Sequence, residues 1–211
     1  MKTLAALHRP FFIGALVLLI SLHSAQADSR AQMARVDVSG ILKAPFDFDV
    51  TAVSNGATID ELKSDKTIRH YILHFPATSE WQEGSITLKA TTGGSLVLAM
   101  LGPNLLIENK PAYIEYDDVK ADKAIIKNGG FEAVASDGSL RDWNLISFKA
   151  GKPPVDDSNQ AAVRKGDAFD GKNFIHVWHN SRFSQAFVVE ENVPVVVSFR
   201  YRLGKQDAEK E

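Results

Sequence analysis

The densest group of chemically capable side chains in this sequence is His176, Trp178, Asn180 and Arg182. In a strand, Phe174, His176 and Trp178 share one face and Ile175 and Val177 the other, so burying the aliphatic pair turns the rings outward. A flat π-face with imidazole, amide and guanidinium arms beside it suits a sugar. The ring takes the C–H side of a pyranose and the arms take its hydroxyl groups. A plainer reading stands beside it, in which a second layer covers this face, Trp178 is core and the histidines cover the sheet edge.

His70 and His74 lie four apart, a metal-ligating spacing on a helix. Their segment alternates like a strand, however, lacks the His-Glu-x-x-His pattern and brings no third ligand. They read as two half-exposed histidines on the solvent side of a sheet. Catalytic signatures are missing: there is no Gly-x-Ser-x-Gly elbow, no phosphate-binding glycine loop, no dinucleotide fingerprint and no cysteine nucleophile. A carboxylate pair for glycoside cleavage depends on a separation that only the fold sets.

The elements that must position these residues are short strands. Arg35 to Ile41, Phe46 to Thr51 and Thr67 to Phe75 alternate apolar and polar residues, with Tyr71, Leu73 and Phe75 on one side of the last. Thr58 to Lys66 reads as one short helix, capped by Thr58 with Glu61 three residues on. Ser85 to Thr91 and Ser95 to Leu101 read as strands joined in a hairpin at Thr92-Gly93-Gly94, and Ala112 to Val119 as another. Ile125 to Lys127 is a short apolar strand, followed by a turn asking for positive φ at Asn128-Gly129-Gly130 and by Phe131-Glu132, an aromatic–acid pair whose ring can enter a core. Phe174 to Trp178, Gln185 to Val189 and Val193 to Arg202 complete the set. So many short strands between Gly and Pro turns argue an all-β sandwich with at most one or two short helices.

Asn128-Gly-Gly-Phe-Glu132, a polar loop and Trp143, then Gly171-Lys-Asn-Phe-Ile-His-Val, Ser184-Gln-Ala-Phe-Val-Val and Val195-Val-Val-Ser-Phe-Arg-Tyr-Arg, together resemble the galactose-binding-like jelly-roll sandwiches of the family 4/9/22 carbohydrate-binding modules. The resemblance covers roughly residues 125 to 203. It implies a non-catalytic protein that binds a polysaccharide or glycan. It also implies a structural calcium ion held by Glu132, together with Asp117 or Asp118 if the strand around Tyr116-Asp-Asp-Val119 pairs with this half. That strand is similar to the family's closing strand, yet it precedes the opening motif. Residues 28–119 are thus either a first sandwich or the first half of a permuted one, residues 120–203 a module-like β-domain that ends early, and residues 204–211 a polar tail. In the second arrangement the two halves pair; in the first, Val195 to Arg202 leaves an open edge.

Residues 1–27, with Lys2 and Arg9, an apolar run from Phe11 to Leu22 and Ala25-Gln26-Ala27, read as a signal peptide. The run is too short to span a bilayer. The expected location is periplasmic, cell-surface or extracellular, with no transmembrane span in the mature chain and no disulfide or lipidation cysteine. Without Lys2 and Arg9, 22 basic residues face 26 acidic ones, a charge of about −4, which gives no electrostatic footprint for nucleic acid. Two other readings stay open: a structural or protein-interaction sandwich of the envelope without a sugar site, and a small glycan-cleaving hydrolase.

Overall fold

Alternating hydrophobicity is realised as strand through most of the described residues. The structure, a computed structural model, describes residues 33–43, 45–64, 67–104, 106–107, 110–147, 161–179 and 181–205. The expected signal peptide, Asn180 and the end of the polar tail lie outside them. The strands are β1 (Met33–Ile41), β2 (Phe48–Val53), β3 (Thr58–Ser64), β4 (Ile68–Pro76), β5 (Gln82–Ala90), β6 (Gly94–Leu101), β7 (Leu106–Ile107), β8 (Lys110–Pro111), β9 (Ile114–Ala121), β10 (Asn144–Ser147), β11 (Ala162–Lys165), β12 (Asn173–Val177), β13 (Ser181–Val189) and β14 (Val195–Leu203). Among the described residues there is no helix, hence none long and apolar enough to cross a membrane.

Two six-stranded antiparallel sheets make a β-sandwich: β10-β13-β6-β1-β4-β3, the first sheet, and β11-β12-β9-β14-β5-β2, the second; β7 and β8 pair with each other alone. Both sheets draw strands from either side of residue 120. In the second, β9 lies between β12 and β14, and β14 is an interior strand flanked by β9 and β5.

The core lies between the sheets. Tyr71, Leu73 and Phe75 of β4 are buried as their parity requires, and Phe75 meets Phe199 of the opposite sheet edge-on at 5.1 Å. Burying one such ring contributes on the order of 3 kcal/mol or less by transfer alone. Tyr116 is buried too, and its hydroxyl donates to the Leu101 carbonyl at 2.7 Å, tying the second sheet to the first.

The structure differs from expectation in several places. Residues 58–64 are the edge strand β3, paired with β4 along its whole length, because a ladder to an adjacent strand outweighs a two-turn helix with a favourable cap. Its charged residues are what an exposed edge carries. Thr92-Gly93-Gly94 does not close a hairpin: β5 and β6 belong to different sheets, and Gly94 turns the corner under the Phe46 ring, where a Cβ would collide. Residues 125–126 pair in no strand, and Ile125 is exposed.

The Asn128 turn also has its own geometry. Asn128 and Phe131 carry the positive φ, at 48° and 56°. Gly129 is required for a different reason, since a Cβ there would strike the Val119 carbonyl, whose own amide donates to the Gly129 carbonyl. The Asn128 side chain closes the loop by donating to Arg141 O at 2.8 Å and accepting from Ala133 N at 2.9 Å. Phe131 drops into the core against Trp143, whose indole N–H donates to the Lys127 and Asn128 carbonyls.

Candidate functional site on the outward side of the second sheet

Parity along β12 is as the sequence requires: Ile175 and Val177 are fully buried in the core, and Phe174 and His176 point away from it. The outward side is nevertheless covered. His176 is buried, stacked on Tyr113 at 3.9 Å, with Nδ1 3.4 Å from Glu115 Oε1. Trp178, just past the strand, is only 9% exposed and packs edge-on against the His179 ring. Arg182 lies on β13 of the other sheet, opposite Ile146, so it does not join His176 in one surface. An open His176–Trp178 platform is therefore not what the fold presents, because the Tyr113 ring stacks on His176 and the chain at Gly204 lies against its edge.

Glu115 and Arg202 face each other across the β9–β14 pair. Arg202 donates from Nε to Glu115 Oε2 at 2.6 Å, and from its two amino groups to the side chain and the carbonyl of Asp167 at 2.9 and 2.8 Å. Lys205 reaches Asp167 as well, at 3.0 Å. Burial pushes the Glu115 carboxyl up, but the hydrogen bonds from His176 and Arg202 outweigh it and hold it below the usual carboxylate range. Asp167 is held low by Lys205 and Arg202.

Over this network lies a ladder of rings and guanidinium groups. Arg202 sits 4.3 Å from the Trp81 ring centre and Arg200 4.3 Å from that of Phe169. Trp81 meets both Phe169 and Phe174 edge-on. Phe169, at 42%, is the exposed aromatic ring among the described residues. Arg200, beside it, also pairs with Glu83 at 2.8 Å. The Nε1 of Trp81 and Nε2 of His176 are buried without a hydrogen-bond partner among the described residues.

The strap that carries Asp167 and Phe169 is pinned by two of the acidic residues singled out in the sequence. Asp117 is completely buried and accepts the N–H groups of Phe169 and Asp170 at 2.8 and 3.0 Å, and its neighbour's at 2.7 Å. Burial dominates those bonds and raises its pKa to about 6. Glu132 accepts the N–H groups of Lys172 and Asn173, both at 2.7 Å. Between the two anchors Gly171, at φ 68°, lies against the Glu132 carboxylate where a Cβ would crowd it. Asp118, at φ 47°, points elsewhere and pairs with Lys120 at 2.7 Å.

β9 thus pairs with the second half of the chain, and Asp117 and Glu132 grip one loop. A calcium ion takes six to eight hard oxygens. Asn173 Oδ1, in a residue whose amide group donates to Glu132 Oε2 at 3.2 Å, is buried without a partner and is an acceptor of the type that such an ion uses. Asp117 is engaged by N–H groups on both oxygens. Among the described residues no group of three or more His, Cys, Asp and Glu side chains is arranged around a common point.

The paired histidines belong to the opposite side of the molecule. His70 and His74 lie on the outward side of the first sheet, both half-buried, with His70 Nε2 3.1 Å from Asp37 and His74 Nε2 3.6 Å from Asp60. Asp37 also takes both arms of Arg35, at 2.7 and 2.8 Å. Burial raises the Asp37 carboxyl, but His70 and Arg35 more than offset it and hold the group low.

Sequence reasoning did not single out Glu115, Asp167, Phe169, Trp81, Arg200 or Arg202. For the arginines a signal existed, since Val195, Val197, Phe199 and Tyr201 alternate with them and parity turns Arg200 and Arg202 outward. No protein-family model matches this chain, and neither a curated protein nor a solved structure matches it.

Proposed function

We propose that this chain is an exported, non-catalytic glycan-binding sandwich, similar in kind to the carbohydrate-binding modules that its motifs resemble, with its contact surface on the strap over the second sheet. The observation that carries the reading is Phe169, an exposed ring fixed in place from three sides: Arg200 on its face, Trp81 at its edge and Asp117 on its backbone. A ring held rigid before binding loses little freedom when a pyranose stacks on it. Arg200 and Glu83 at its rim supply donors and acceptors for hydroxyl groups. In this reading His176 and Trp178 are the foundation of the surface rather than its contact atoms. The calcium ion that the resemblance implies would be held by Glu132 and Asn173 Oδ1, and would supply charge neutralisation at the base of the strap.

The test is retention on a glycan array and in affinity gels with immobilised polysaccharides. Phe169→Ala is expected to abolish retention while leaving the melting curve within about 0.5 kcal/mol of the parent. A parent protein that retains no glycan would overturn the reading, and so would a Phe169→Ala variant that binds as the parent does.

A further inference from the structure

We propose that the free edge of β13 is a docking site for an extended peptide segment of another protein, which adds to the first sheet as one further strand. β10 pairs with β13 only from Ser181 to Ser184, whereas β6 lines the other side of β13 as far as Val189. The chain that precedes β10 does not extend its line: Asp142, at φ 66°, turns it away and Trp143 drops into the core. From Gln185 to Val189 one side of β13 therefore has no neighbouring strand. In an antiparallel ladder every second residue aims its N–H and C=O away from a given partner, so this stretch offers donors and acceptors at strand spacing. Among the described residues nothing hydrogen-bonds to them. Gln185-Ala-Phe-Val-Val189 also carries no charge, no proline and no bulge, the devices that usually protect a bare edge.

A hollow of about 520 Å³ runs along this edge. It is lined by consecutive residues of β13, Gln185 to Val188, and not by every second one, so it follows the backbone and not one face of the sheet. Its other wall is built from Lys123, Ala124, Ile125 and Lys127. Gln185 fixes that wall, since its side chain accepts the Lys127 N–H and donates to the Lys127 carbonyl, both at 2.8 Å. Bounded on both sides, the hollow suits one added strand rather than the edge of a second sandwich.

The walls define the chemistry of the occupant. Val188 and Ile125 line the hollow at 69% and 76% exposure, and they meet apolar side chains at alternate positions of an added strand. Lys123, Lys127, Asp142 and Glu190 also line it, and among the described residues none of the four side chains makes an ion pair. Two cations beside two anions give no single-sign field for a polyanion or an anionic lipid surface. They complement a peptide that carries both signs. A pyranose finds no exposed aromatic ring there to stack on.

Fluorescence anisotropy of labelled heptapeptides titrated with the purified full chain tests this. The probes alternate valine and threonine between one Lys and one Glu, in both orders, and saturable binding is expected. Two further peptides keep the same side chains but carry N-methyl groups on one or the other set of alternate residues. The set that faces β13 is expected to weaken binding at least about tenfold, a shift of ~1.4 kcal/mol, and the opposite set to leave it unchanged. Val188→Lys, which puts a charge on the edge, is expected to weaken binding as much, with unchanged circular dichroism. Phe169→Ala, on the other side of the sandwich, is expected to leave peptide binding unaltered, which keeps a failure here apart from a failure of the glycan reading. No saturable binding of any probe would overturn the proposal, and so would equal binding of the two methylated peptides. Parent dimers that Val188→Lys dissolves would place a second copy at the edge and overturn it as well; should Val188→Lys not fold, the methylated pair decides alone.

Discussion

The two outward sides of the sandwich each belong to six antiparallel strands with inward and outward residues alternating, yet they end up opposite in character. On the second sheet the outward residues Glu115, His176 and Arg202 are buried, His176 against the Tyr113 ring and Arg202 beneath a strap that brings its own carboxylate, and every nitrogen of the Arg202 guanidinium is used. On the first sheet the outward residues either form a half-exposed cluster around Asp37 or lie bare as an aliphatic band. Parity decides which side chains leave the core. What lies above them is decided by connections, and here the segment before β12 is long enough to return across its own sheet.

The sharpest way to break this comparison is to remove one arginine from each side. Arg202→Ala leaves Glu115 buried with the His176 ring as its remaining side-chain partner, and the loss should be about 3–5 kcal/mol. Arg35→Ala leaves Asp37, itself 3% exposed, with His70 beside it and with water able to enter where a part-exposed arginine stood, and the loss should be smaller, about 1–3 kcal/mol. Urea unfolding of the two variants measures both, and equal losses would mean that the strap does not seal its side. Trp178→Ala belongs with the first arginine, at about 3–5 kcal/mol, because its ring is core-like in burial despite its outward parity.

Acid should act on the two sides in ways that separate Asp117 from the rest. Asp37 and Glu115 have folded-state pKa values below their unfolded ones, so their contribution is present above the usual carboxylate range and is lost as pH falls through the lowered values. Asp117 has the opposite sign. Its pKa near 6 against 3.8 in a free chain means that the folded state binds the proton more readily, so stability gains as pH falls from about 6 to 3.8. Replacing Asp117 by Ala should remove that gain from a plot of unfolding free energy against pH, and leave the loss at lower pH in place.

Much of this contrast is legible in the sequence, and what is not has a physical cause. The alternation of Tyr71, Leu73 and Phe75, the core placement of Phe131 and the inward Ile175 and Val177 follow from local spacing alone. The Thr58 to Lys66 helix was favoured by local capping chemistry and overruled by a ladder to β4, a pairing that capping chemistry does not encode. Asp117 and Glu132 stand out by motif, but their partners are backbone N–H groups of a loop some 40 to 50 residues away, which no side-chain pattern announces. The Arg202–Glu115 contact spans 87 residues and depends on which strands become neighbours.

Calcium gives a smaller lever on the strapped side. If Glu132 and Asn173 hold the ion, a hundredfold excess over its dissociation constant should raise stability by about 2.7 kcal/mol. Melting curves with calcium and with chelator should then separate, and Glu132→Gln should bring them together. Superimposed curves for the parent would leave the strap held by its protein contacts, the hydrogen bonds of Asp117 and Glu132 and the Asp167–Arg202 pair.

The smallest expected effect sharpens the comparison most finely. Val188 and Val177 are both valines on strands of one sandwich, one 69% exposed on the bare side and one fully buried under the other sheet. Val188→Ala removes two methyl groups that already face water, so the change should stay within about 0.5 kcal/mol. Val177→Ala removes the same atoms from a closed core and leaves a cavity, which should cost about 2 kcal/mol. The difference between two chemically identical substitutions isolates burial from residue type. Urea midpoints of the two variants read it directly, and a Val188→Ala loss as large as that of Val177→Ala would mean that the first sheet's outward side is covered after all.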